Sequence, residues 1–119
     1  MTYLNREQIL QVQDLPVEDV EVPEWGGKVR VRGLTGAERD KFEASIVTRK
    51  GNKAEFNPEN IRAKLVAMCV VDENGNRLFT DEDIKILGQK SATALDRIFQ
   101  VAQRLSGLRT EDFEEMQKN

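Results

Sequence analysis

The sequence predicts a mainly helical α+β domain: an N-terminal β-hairpin followed by a small helical bundle, with a short second hairpin between the helices. Three observations lead there. Apolar and charged residues alternate with a period of two over Val17–Pro23 and again over Lys28–Leu34, on either side of Gly26-Gly27. Asn74-Gly75 lies between the apolar pairs Val70-Val71 and Leu78-Phe79, a strong local hairpin signal. From Ser91 to Leu105 the apolar residues recur at helical spacing.

The elements follow in order. Asn5 is placed to cap a short helix through about Gln13, with Ile9 and Leu10 facing inward and Leu15-Pro16 ending it. In the hairpin, Val20 and Val22 share a face with Val29 and Val31. Asp19 and Glu21 lie on the opposite face from these, as do Lys28, Arg30 and Arg32, so the polar faces are acidic on one strand and basic on the other. Opposite charges across the pair help set the register, each by about 0.2–1 kcal/mol. Thr35 and Glu38 have the spacing of a capping box for a helix whose inner side carries Phe42 and Ile46. Thr48–Phe56 reads as an exposed loop. Asn57-Pro58-Glu59 reads as the start of a helix from Pro58 to about Val70, with Ile61, Leu65, Met68 and Cys69 on one stripe. Thr80–Asp83 opens a brief helix that stops near Gly88. Ser91 caps the next helix, whose inner stripe is Leu95, Ile98, Phe99, Ala102 and Leu105, and Gly107 suits its end. Thr110 caps an acidic tail helix, Glu111–Lys118. Residues 1–109 therefore form one domain and 110–119 a C-terminal tail helix.

Composition narrows the function. The chain has 119 residues, enough for one domain, with 39% hydrophobic and 33% charged residues. Its net charge of −3 and the interspersed signs give no reason to expect nucleic acid as a partner. No stretch approaches the roughly eighteen apolar residues of a membrane span, and polar Asn5–Gln8 stands where a signal peptide needs an apolar run. A soluble, intracellular protein is expected, and its one cysteine fits a reducing compartment. Histidine is absent, which removes Ser–His and Cys–His nucleophile pairs and the commonest transition-metal ligand. An enzyme is not expected.

Each candidate site competes with a structural reading. Asp72–Asn76 has the outline of a calcium loop, but Arg77 occupies the position that demands glycine, and Asp83 the position of the bidentate glutamate. No metal site and no cofactor are expected. Cys69 sits on an apolar stripe and reads as a buried thiol. Arg49, Lys50 and Lys53 lack the setting of a phosphate loop. The acidic pairs Asp81-Glu82, Glu111-Asp112 and Glu114-Glu115 fall in first turns of helices, where carboxylates favour the dipole. Trp25, at the hairpin tip, either folds back over the sheet or anchors a partner. Leu108, Phe113 and Met116 make the tail amphipathic, so that it either packs on the body or folds against another chain. Trp25, Leu108, Phe113 and Met116 are the candidate partner-binding residues.

Three stretches carry a resemblance to a known family. They are Val22-Pro23-Glu24-Trp25-Gly26-Gly27-Lys28-Val29-Arg30-Val31-Arg32 running into Leu34–Asp40; Ala67–Asn76 running on to Leu78-Phe79; and Leu87–Ala92 with Ala94–Ile98 and Leu105–Leu108. In order and spacing, over about residues 15–110, the sequence resembles the tail assembly chaperones of long-tailed bacteriophages. The resemblance implies a non-enzymatic protein of the host bacterial cytoplasm that binds the tape measure protein, keeps it soluble and promotes tail-tube assembly. It also implies the major tail tube protein and a frameshifted longer form of the same chain as further partners, and absence from the finished virion. Self-association is a further expectation, since edge strands of the hairpin are free to pair between subunits. The competing reading is a structural tail or head–tail connector component.

Overall fold

A computed structural model describes residues 2–117, with the side chains of Thr110, Met116 and Gln117 outside that description. The order is α1 (Arg6–Gln11), β1 (Val17–Val22), a 3-10 turn (Pro23–Trp25), β2 (Gly27–Arg32), α2 (Gly36–Ser45), β3 (Val47–Lys50), β4 (Lys53–Phe56), α3 (Ile61–Cys69), β5 (Val70–Val71), a second 3-10 turn (Asp81–Asp83), α4 (Ile84–Leu87), α5 (Ala92–Leu105) and α6 (Thr110–Gln117). The predicted α+β class is the one found.

The hairpin forms as its alternation requires. β1 and β2 are antiparallel, with Val20 opposite Val29 and Asp19 opposite Arg30. Arg30 Nε donates to Asp19 Oδ1 at 3.1 Å, and Lys28 lies 3.6 Å from the same carboxylate. Gly26 closes the turn at φ +76, a conformation in which a side chain would be strained. β5 then adds to the other edge of β2, giving the order β1-β2-β5. Val20, Val22, Val31 and Val70 enter the core from this sheet.

α3 is the central helix. Ala63, Leu65, Val66, Ala67, Met68 and Cys69 are all buried, because α5 and α4 pack along it and α2 closes another side. α5 presents Ala94, Leu95, Ile98, Phe99 and Ala102 to the core and also reaches β1 and β2. Ionic contacts stitch α5 to the hairpin: Arg97 is bidentate to Glu24 at 2.6 and 2.9 Å, and Arg104 Nη2 lies 2.9 Å from Glu18. The end of β2 is locked to the end of α5. There the Leu34 amide donates to Ser106 Oγ at 3.0 Å, and the Gly33 amide donates to the Pro16 carbonyl at 2.9 Å.

Three sequence expectations need correction. α1 forms with its full capping box between Asn5 and Gln8, but Ile9 and Leu10 do not face inward; they are 55% and 65% exposed. None of its six residues is buried, so its apolar side meets no core among the described residues. Thr48–Phe56 is not a loop: Val47–Lys50 pairs with Lys53–Phe56 around Gly51 at φ +62. Residues 58–60 precede α3 instead of opening it. The Asn57 side chain accepts from the Glu59 amide, Asn60 sits at φ +57, and the helix begins at Ile61. The second hairpin forms as expected, and it is short: the Asp72 amide donates to the Asn76 carbonyl at 2.8 Å, Val71 bridges Arg77 in antiparallel sense, and the Leu78 amide donates to the Val70 carbonyl at 3.0 Å, on the edge of β5 that β2 leaves free.

Arg32 and Glu38 form the one strongly desolvated ion pair among the described residues, with side chains 13% and 21% exposed. Arg32 donates from Nη1 and Nη2 to the two Glu38 oxygens at 2.9 and 3.1 Å, and from Nη2 to the Met68 carbonyl at 3.3 Å. Burial alone would raise the Glu38 carboxyl; the bonds from Arg32 and the Thr35 cap outweigh it and hold it below its ordinary value. The Arg97 bond, with a backbone amide, holds Glu24 down to about 2. Both carboxyls are depressed on folding, so their contribution is present above the ordinary carboxylate range and is lost as pH falls through the folded values. Stability is therefore expected to be flat from pH 7 to about 5 and to fall progressively below, towards about pH 2. Urea midpoints across that range check this, and Glu38→Gln with Glu24→Gln should flatten the acid limb.

Candidate partner-binding surfaces

The hairpin tip is held by the 3-10 turn Pro23–Trp25 and by the Glu24–Arg97 pair. Trp25 is half-buried and packs against the core at this corner, leaving part of its ring at the surface. Leu108 is buried, 4% exposed, in the turn that Gly107 makes at φ +71 after α5. Phe113 is half-buried and brings α6 onto the body: its ring meets Phe42 edge-on at 6.3 Å between centroids and Phe99 at 6.1 Å. Arg62 lies over the Phe99 ring, with its guanidinium carbon 5.6 Å from the ring centre and its Nε donating to Asp96 Oδ1. Met116 lies on α6, with its side chain outside the described residues. In the single chain, Leu108 is part of the core, and Trp25 and Phe113 both pack against it.

Cys69 is fully buried. Burial, the largest influence, pushes its thiol up to about 12, against a small opposing pull from Ser106 Oγ at 3.9 Å. It is not a nucleophile at neutral pH. Asp72 is occupied by its own turn, where Oδ1 accepts from the Asn74 and Asn76 amides at 2.8 and 3.0 Å. No three histidine, cysteine or acidic side chains converge as metal ligands among the described residues. No helix among them is long and apolar enough to cross a membrane.

What the sequence reading missed is the N-terminal arm. Tyr3, Leu4, Ile9, Leu10 and Val12 are 99%, 67%, 55%, 65% and 57% exposed, and Val17 follows at 54%. Away from this stretch, Leu78 and Ile86 are the other large apolar side chains that open to solvent among the described residues. The signal was present in the sequence: a helix of about one and a half turns ended by Leu15-Pro16 has little apolar area to hold it on a body.

The chain is thus a small α+β body of one hydrophobic core. A family model for phage tail assembly chaperones matches residues 12–119, and the chain belongs to that family. A solved structure, the bacteriophage HK97 tail assembly chaperone, has the same fold: TM-score 0.60 at 17% identity, over 83% of this chain and 94% of that one. No curated protein sequence matches the chain significantly. Family membership implies a non-enzymatic role among phage tail proteins.

Proposed function

We propose that this chaperone binds the tape measure protein of its phage, keeps it soluble and promotes assembly of tail-tube subunits around it. The observation that carries this reading is the family match, which spans all the packed elements from β1 to α6. The surface supports it physically. A helical client with exposed apolar stripes needs them covered reversibly, and this body offers scattered apolar residues within a charged, mixed-sign surface. Trp25 at the hairpin tip is the proposed aromatic anchor. Leu108, Phe113 and Met116 belong to the same proposal as the segment that holds and presents α6. The tail tube protein and a longer frameshifted form of this chain are the further proposed partners, and the site of action is the host cytoplasm rather than the finished virion.

Co-expression with the tape measure protein of the same tail gene cluster tests the reading. Co-elution of the two, with the client soluble only when this chain is present, is the expected result. Trp25→Ala should weaken that capture several-fold while leaving the fold intact. A chain that ignores the client but is recovered stoichiometrically in purified virions would instead be a structural tail or connector component.

A further inference from the structure

Among the described residues, no hydrogen bond and no ion pair joins α6 to the rest of the body. Its polar contacts stay within the tail: the Arg109 amide donates to Asp112 Oδ2 at 2.8 Å, and the Arg109 guanidinium lies 3.8 Å from Glu111 and 3.9 Å from Asp112. One ring seats the helix. Phe113 meets Phe42 of α2 at 6.3 Å and Phe99 of α5 at 6.1 Å, while the helix lies against β4. A helix of eight residues is not stable in water by itself, so α6 depends on that ring being seated.

The rings it meets belong to the core. Phe42 is 0% exposed and Phe99 7%. The chain just before α6 is pinned separately, by buried Leu108 and by the Gly107 turn, so α6 can leave without disturbing the end of α5. Its departure would open an aromatic slot floored by Phe42 and Phe99 and bordered by β4, with Arg62 over the Phe99 ring.

We infer that α6 is a displaceable plug: in the free chain it fills the slot that receives an amphipathic helix of the client, and that helix takes its place. The inference rests on the client-binding reading above and deepens it by naming the receiving site. The present occupant defines the next one, because a slot that accepts α6 accepts a helix with one aromatic side chain where α6 has Phe113. A covered slot also suits a chain that must stay soluble before its client arrives, since an open aromatic floor is a patch for indiscriminate association. A plug lowers the apparent affinity by the fraction of chains in which it is open. A client helix longer than α6 makes more contacts than one ring and so displaces it.

Competition for the client tests this with full-length chains. Wild type and a variant, carrying different tags, are co-expressed with the tape measure protein, and their ratio in the recovered complex is read. Phe113→Ala removes the plug, and Glu114→Pro breaks α6 while keeping Phe113. Each is expected to be enriched about tenfold over wild type. 4-Fluorophenylalanine placed at position 113 reports the plug directly by fluorine NMR. In the complex its resonance is expected to leave the seated position of the free chain and to match that of the free Glu114→Pro chain. Equal or poorer recovery of both variants overturns the inference, as does a resonance that stays seated in the complex. Equal enrichment of the variants on an unrelated coiled coil also overturns it, as general stickiness. If wild type captures the client and the variants gain nothing, the plug alone fails. If no chain captures the client, the client-binding reading fails and the plug with it.

Discussion

Phe42→Ala should lower the free energy of unfolding by about 3–5 kcal/mol, the usual range for truncating a fully buried phenylalanine. Phe42 has no exposed surface, and its ring receives the edge contact from Phe113 that seats α6. The loss therefore has two parts: a cavity between α2 and its neighbours, and release of the tail helix. Domains of this size are stable by about 5–15 kcal/mol, so the variant should sit close to the folding threshold. Urea unfolding followed by the fluorescence of Trp25, the single tryptophan, measures the first part. Limited proteolysis near residue 109 measures the second, and cleavage there should accelerate more than elsewhere. A loss below about 1 kcal/mol would place Phe42 outside a tightly packed core, contrary to its burial.

Gly33→Ala is the second large effect, expected to cost about 1–3 kcal/mol and to lie towards the upper end. A Cβ at Gly33 would stand 2.6 Å from the Leu105 carbonyl oxygen and 3.2 Å from Pro16 Cδ. Both obstacles belong to anchored backbone or ring atoms, so β2 and the end of α5 would have to part. The Leu34–Ser106 hydrogen bond lies at that same junction and would be strained with it. Gly88→Ala is the control. Its Cβ would meet the Asn60 Oδ1 at 2.7 Å, but that is the end of a side chain free to rotate, and Gly88 already has helical dihedrals. Its effect should stay within about 1 kcal/mol of zero, since the loss of glycine's freedom in the unfolded state offsets a small clash. Thermal or urea unfolding of both variants decides the matter; equal effects would sink the steric account.

Local chemistry was legible wherever a few neighbouring residues settle it. The Asn5 cap, the Thr35 capping box, the Ser91 cap, the Gly26 turn and the Asp72–Asn76 turn all form where side-chain type and spacing place them. The Val47–Phe56 hairpin was missed although Gly51-Asn52 is a turn pair, because Arg49, Lys50 and Lys53 hide the alternation of a strand pair that buries little. The start of α3 was misplaced because Asn57-Pro58-Glu59 has the composition of a cap. Its Asn57 side chain in fact bonds across to Thr48 and closes a separate turn. As to candidate sites, spacing pointed to Trp25 and the tail, but it could not tell which faces the body would cover.

By itself, then, the sequence determined the α+β class, the hairpin with its charge-matched register, the stripe of α5, and the pattern by which the family is recognised. Each depends on residues within a turn or a strand pair of one another, where periodicity and capping act directly. Only the tertiary structure decided that β5 would join β2, that α3 would be buried continuously from Leu65 to Cys69, and that Leu108 and Phe113 would meet the core. It alone decided that Ile9 and Leu10 would stay in water. Those outcomes depend on which apolar surfaces find each other across the chain. An amphipathic pattern says that a face wants covering, and the packing of distant elements determines whether anything is there to cover it.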